Sequence, residues 1–263
     1  MVNTDDQSPT GTPRKRFALV IAAYNVRRYL DDFTRSLERQ KVDPSTFEVI
    51  FVDDGSTDDT RAWLDAWAER TPLHATVLSQ PNAGQGAARN TGMRAATAEW
   101  ITFPDPDDWV GDTYLKRVAK QLDETPSVSM IATNRVMFHE AENEIAYNHP
   151  LAKFFYRDHV VRLERRPDYF HGGSNSAFMP LDLLREHGLE FDTRIRANFE
   201  DGLFNASLSA ALRGPVDRLP QVRRVLLPQA RGQLVDAAVH ELERAPLHHH
   251  RGARLPRCAA PER

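Results

Sequence analysis

The sequence predicts an α/β fold, an open and mostly parallel sheet with helices on both faces. Short apolar runs recur between Phe17 and Phe103. Segments whose apolar residues fall at helical spacing separate those runs. Polar and acidic residues gather where each run ends.

Phe17 to Tyr24 is a continuous apolar run bounded by charge and by Asn25, and it reads as a buried strand. Arg28 to Arg39 places Tyr29, Leu30, Phe33 and Leu37 on one helical face. Phe47 to Val52 is a second buried strand, ending in Asp53-Asp54-Gly55-Ser56. A helix should follow, capped by Ser56 or Thr57, with Asp58 and Asp59 in its first turn and Trp63, Leu64 and Trp67 on its apolar face. Ala75 to Leu78 reads as a third strand, Ala87 to Ala96 as a helix rich in small residues, and Trp100 to Phe103 as a fourth strand. Right-handed crossovers then place every strand end on one edge, where ligands bind in such sheets.

The later chain is less regular. Asp112 to Leu122 reads as helical and Val128 to Phe138 as extended. Ser174 to Met179 reads as a strand, Leu181 to His187 as a short helix stopped by Gly188, and Glu200 to Leu212 as a helix. Beyond Phe204 there are no aromatic residues, and the Arg-, Pro- and His-rich end, including His248-His249-His250, shows no sustained period. Residues 1–16 are expected to be disordered, 17–212 to form one domain, and 213–263 to be an atypical tail.

Composition narrows the function. A content of 41% hydrophobic and 27% charged residues is that of a globular protein. The net charge of −3 gives no overall attraction to nucleic acid. One cysteine, Cys258, excludes an internal disulfide framework. No run approaches the roughly 20 apolar residues of a membrane span, so a cytoplasmic location is expected, with peripheral association at the inner membrane face left open.

The polar strand ends carry the chemistry. Asp105, Asp107 and Asp108 crowd together directly after a strand. Such a cluster costs stability unless a cation joins it, and Mg²⁺ or Mn²⁺ shared with substrate phosphates suits it. An acidic turn capping the next helix is the plainer alternative. Asp54 at its strand end could accept hydrogen bonds from a base or ribose, with Gly55 making the turn. In Asn82-Ala83-Gly84-Gln85-Gly86-Ala87-Ala88-Arg89, the glycines permit close backbone approach and Arg89 offers a fork of donors to a diphosphate. No dinucleotide fingerprint or phosphate-binding Lys-Ser/Thr loop is present, which argues against a dehydrogenase or P-loop enzyme. Glu200-Asp201 opens a predicted helix; either the helix dipole or a general base accounts for it.

Taken together, Val20 to Asn25, Val52 to Asp58, Gly84 to Gly92, Phe103 to Trp109 and Phe199 to Asp201 resemble the inverting family-two glycosyltransferases, which have the GT-A fold. The narrower likeness is to bacterial enzymes of cell-surface polymer synthesis of the teichoic-acid type. The resemblance implies a nucleotide-sugar donor, usually a UDP-sugar, and a hydroxyl acceptor such as a glycan, a polyol-phosphate polymer or a lipid-linked intermediate. It implies that Tyr24 and Asp54 hold the base, with Asn25, Asn82 and Gly84 in the donor site. Arg89 would lie near the ribose or diphosphate, Asp105 would meet the ribose side and Asp107 the metal. Asp201 would be the base, supported by Glu200. A nucleotidyltransferase would need a Gly-rich basic loop after the first strand, which is missing. The alternative left by the tail is an impaired fragment that binds nucleotide-sugars without turnover.

Overall fold

The computed structural model describes residues 14–133, 137–139, 144–146, 160–163, 171–195, 200–213 and 224–226. Strand β1 (Phe17–Ala23) pairs in parallel with β2 (Phe47–Asp53), from Phe17 opposite Phe47 to Ala23 opposite Asp53. β3 (His74–Ser79) adds to β2, and β4 (Trp100–Thr102) to the other side of β1, both in parallel. The chain thus switches direction across the sheet between β1 and β4, which opens a crevice beyond their carboxyl ends.

The rest of the sheet is mixed in strand direction. The other strands are β5 (Met130–Ala132), β6 (Met137–His139), β7 (Glu144–Ala146), β8 (Val160–Arg162), β9 (Ala177–Pro180) and β10 (Arg224–Leu226). β9 runs antiparallel to both β4 and β5, and β10 lies parallel to β5 and antiparallel to β8. The order is β3-β2-β1-β4-β9-β5-β10-β8, with β6 and β7 a separate antiparallel pair.

Both faces of the sheet are covered, because alternate strand residues point to opposite sides. Phe17, Leu19 and Ile21 pack with α1 (Arg27–Glu38), α2 (Thr60–Arg70) and α4 (Tyr114–Glu124). Ala18 and Val20 pack on the other side with α3 (Gln85–Ala95), α5 (Leu181–Glu186) and α6 (Glu200–Arg213). The small residues of α3 let it sit close to β1: a Cβ on Gly92 would lie 2.3 Å from Val20 Cγ1. Trp67 is buried edge-on against Phe51, whereas Trp63 is half-buried between the guanidinium groups of Arg27 and Arg70.

Several expected boundaries are corrected. α2 starts at Thr60, with Asp59 at its cap position and no acidic residue in its first turn. Ser56 and Thr57 do not cap it, because both bond to Asn25 instead. The extended reading of Val128 to Phe138 holds only at β5 and β6, and residues 134–136 lie outside the described residues. Ser174–Ser176 forms a 3-10 turn, so β9 begins at Ala177. β10 lies in the predicted tail, where the sequence shows no period. Most of residues 1–16, Phe199 and the rest of 214–263, including the histidine triplet, lie outside the described residues.

Candidate active site

Tyr24 and Asn25 leave β1, Asp54 leaves β2 and Asp105 follows β4, so the strand ends bring the predicted residues to one edge. Tyr24 is exposed. Asn25 has a positive φ of 54°, and its Oδ1 accepts from Thr57 N at 2.8 Å and Asp58 N at 3.3 Å. Its side chain thereby stitches the β1 end to the β2 loop.

Asp54, expected at the base, is held by donors of the protein itself. It is buried, and its carboxylate accepts from Ala83 N at 2.9 Å, Gly84 N at 2.8 Å and Gln80 Nε2 at 2.8 Å. A buried carboxylate needs such donors, and the 80–84 loop supplies them. Asn82 Nδ2 adds a bond to the Asp54 carbonyl at 3.0 Å. Gly55 has φ +73°, and a Cβ there would come within 2.9 Å of Asn82 N. A Cβ on Gly84 would meet open space, so its φ of +94° accounts for glycine there, not close packing.

The opposite wall is built around Arg89. It is 3% exposed, yet the sequence placed its fork against a diphosphate. In the structure Nη2 donates to Asp105 Oδ1 at 2.8 Å, and Nη1 donates to Asp201 Oδ1 at 2.7 Å. Glu200 Oε1 lies 3.5 Å from Nη1 and also accepts from Gln85 Nε2. A single buried guanidinium therefore gathers three carboxylates, and their mutual repulsion makes it the centre of the cluster. Among the described residues, Glu200 Oε2 is buried without a partner.

Packing holds this cluster at the end of β4. Phe191 stacks on Phe204 of α6 with centroids 4.1 Å apart, and Phe103 meets Phe191 edge-on at 5.1 Å. The Arg89 guanidinium lies 5.3 Å from the Phe191 ring. Such aromatic contacts are worth about 0.5–1.5 kcal/mol each beyond area burial, and they seat the start of α6 against Arg89.

Two residues that the sequence reading did not single out complete the wall. Ser174 Oγ donates to Asp201 Oδ1 at 2.7 Å, and Asn175 Nδ2 donates to Asp105 Oδ2 at 2.6 Å. Gly172-Gly173 just before them, following His171, is the available sequence signal, and it marks a turn. His171 is itself buried, with Nε2 3.3 Å from Ser176 Oγ. Asp107 and Trp109 are exposed, and the Asp107 carboxylate makes no bond to the described residues. No group of three or more His, Cys, Asp or Glu side chains forms a metal cage among the described residues. An open lone carboxylate fits a divalent ion whose other ligands are substrate phosphates and water.

The fold and this edge define an α/β domain with acidic residues at the switch point of its sheet. The chain belongs to glycosyl transferase family 2, whose profile matches residues 18–180. It is 31% identical over 109 residues to the Staphylococcus aureus poly(ribitol-phosphate) beta-N-acetylglucosaminyltransferase TarS, covering 41% of this chain and 19% of TarS. It is 25% identical over 193 residues to the Bacillus subtilis minor teichoic acid biosynthesis protein GgaB, covering 73% of this chain and 21% of GgaB. The chain thus spans only 19% and 21% of these curated relatives. The structure of TarS 1–349 in complex with UDP-GlcNAc superposes with a TM-score of 0.64 at 24% identity, covering 82% of this chain and 57% of that one. The Pyrobaculum calidifontis mannosyltransferase PcManGT, in complex with GDP-Man and Mn²⁺, gives 0.52 at 23% identity over 90% of this chain and 64% of that one. These structural likenesses establish the GT-A-type fold.

Proposed function

We propose that this chain transfers a sugar from a UDP-sugar to a hydroxyl acceptor, with inversion at the anomeric carbon and with Mn²⁺ or Mg²⁺ on the diphosphate. The observation that carries the reading is the Asp201 carboxylate. Arg89 and Ser174 hold its Oδ1 from two sides, while Oδ2 accepts no bond from the described residues. A base needs this arrangement: one oxygen fixed, the other open to a proton.

In the reaction Asp201 Oδ2 takes the acceptor hydroxyl's proton as that oxygen bonds to the anomeric carbon. The bond from that carbon to the diphosphate oxygen breaks in the same displacement, and the electron pair leaves with the nucleoside diphosphate. A divalent cation, when bound, offsets the charge that develops on the leaving diphosphate. Asp107 would hold that ion and Asp105 would meet the ribose. Tyr24 offers an exposed ring to the base, and Asn82 and Gly84 line the neighbouring loop that Asp54 shapes from beneath. Glu200 keeps Gln85 and Arg89 in register. The UDP-GlcNAc complex of a structural relative supports a UDP-sugar donor, the TarS name supports a polyol-phosphate polymer as acceptor, and the GgaB name supports a part in teichoic acid biosynthesis.

The test is a calorimetric titration with UDP, GDP and CDP, with and without Mn²⁺, followed by NMR of the product's anomeric centre. Mn²⁺-dependent UDP binding and inversion are expected. Retention of configuration, or binding of none of these nucleotides, overturns the reading. Binding without turnover supports the impaired-fragment alternative.

A further inference from the structure

We infer that Ser174 and Asn175 are a pair of positioning residues, adjacent in sequence, that divide their work between the two halves of the reaction: Ser174 orients the base, Asn175 the donor-side carboxylate. The inference rests on the proposed transfer reaction and deepens it.

Asp105 and Asp201 are joined by two separate bridges. One is the Arg89 guanidinium, which bonds Oδ1 of each at 2.8 and 2.7 Å. The other is the 3-10 turn Ser174–Ser176, whose first two side chains reach Asp201 Oδ1 at 2.7 Å and Asn175's target, Asp105 Oδ2, at 2.6 Å. The turn itself is anchored. Ser174 is fully buried, Ser176 N and Oγ both donate to the Gly173 carbonyl, and Thr133 N donates to the Ser176 carbonyl at 2.7 Å. Its side chains therefore approach the carboxylates from a rigid base.

The two bonds have different consequences. Arg89 and Ser174 share Asp201 Oδ1, so their combined pull fixes the rotation of the carboxylate and leaves Oδ2 as the open oxygen. A carboxylate held by Arg89 alone keeps its charge partner but can turn about its side-chain bonds. Asn175, in contrast, occupies the second oxygen of Asp105, whose first is on Arg89. It sets the plane in which Asp105 meets a donor hydroxyl. Loss of Ser174's hydroxyl should thus act on the chemical step, and loss of Asn175's amide on donor affinity.

Steady-state kinetics with UDP-GlcNAc, paired with calorimetry of UDP in Mn²⁺, tests this on the full chain for Ser174→Ala, Ser174→Cys and Asn175→Ala. Cysteine nearly matches serine in size but is a weak donor, so it separates the hydrogen bond from the volume. Both Ser174 variants should lose about tenfold or more in kcat, as expected for a hydrogen bond to a charged group, with UDP affinity within about twofold of wild type. Asn175→Ala should weaken UDP-GlcNAc KM about fivefold or more with a smaller change in kcat. Full kcat in Ser174→Cys, or the same parameter moving equally in Ser174 and Asn175 variants, overturns the inference while leaving the transfer reaction intact. A wild-type chain that neither binds UDP nor transfers sugar overturns both.

Discussion

Arg89 Nη1 lies 2.7 Å from Asp201 Oδ1 across 112 residues of sequence, and its other terminal nitrogen reaches Asp105. One side chain on α3 thus ties the end of β4 to the start of α6. The arginine expected near the ribose or diphosphate is bonded within the protein to both of these carboxylates.

Arg89→Ala should therefore impair both folding and activity. It leaves Glu200, which is 2% exposed, without its cation. Breaking a buried charge pair in this way costs about 3–5 kcal/mol. Urea unfolding should show that loss. Arg89→Lys should recover part of the stability but little of the activity, because an ammonium cannot reach two carboxylates with the same planar geometry. A lysine variant with wild-type kcat would show that the fork does not matter.

Asp107→Asn should leave the fold untouched, since the carboxylate is exposed and unpartnered among the described residues. Its effect should fall on the metal: Mn²⁺ activation should need about tenfold or more additional ion, and UDP binding should lose most of its Mn²⁺ dependence. Unchanged Mn²⁺ titrations would move the metal elsewhere.

The contact between α3 and β1 makes a prediction about stability alone. Gly92→Ala inserts a Cβ 2.3 Å from Val20 Cγ1 and 3.2 Å from Val52 Cγ2, and both valines are fully buried and stiff at χ1. About 1–3 kcal/mol of destabilisation is expected from such overpacking. Thermal melts should fall accordingly, and a melt equal to wild type would contradict the packing described.

Burial pushes the Tyr114 hydroxyl from 10.0 up to about 12, with its bond to Thr133 acting the other way. A raised folded value means that the neutral form is favoured by folding. That stability is fully present below pH 10 and is lost as pH rises through 10 towards 12. Compared with Tyr114→Phe, the wild type should lose stability more steeply over that range in pH-dependent unfolding. Parallel curves would contradict the assignment.

The parallel half of the sheet was legible because burial on both faces leaves continuous apolar runs, as in Phe17 to Ala23 and Phe47 to Val52. The strand-end clustering of Tyr24, Asp54 and Asp105 followed from that topology. The partners of these residues were not legible. Asp54 turning onto the 80–84 loop, and Arg89 turning onto Asp201, depend on contacts distant in sequence that no period reveals. Ser174 and Asn175 escaped for a related reason: short polar residues in a turn have no pattern to mark them. The start of α2 was misplaced because Ser56 and Thr57 are good caps locally, yet the tertiary contact with Asn25 takes both. β10 was missed because three residues paired on both sides by β5 and β8 need no amphipathic signal of their own.

The central claim is that Asp201 removes the acceptor's proton from a carboxylate held by Arg89 and Ser174. Single-turnover transfer from UDP-GlcNAc by Asp201→Asn, with UDP affinity measured on the same sample, tests it most directly. A rate lowered by about 10²–10⁴, as for loss of a general base, with UDP affinity within about threefold of wild type, is the predicted result. Transfer at the wild-type rate, with nucleotide still bound, would contradict it.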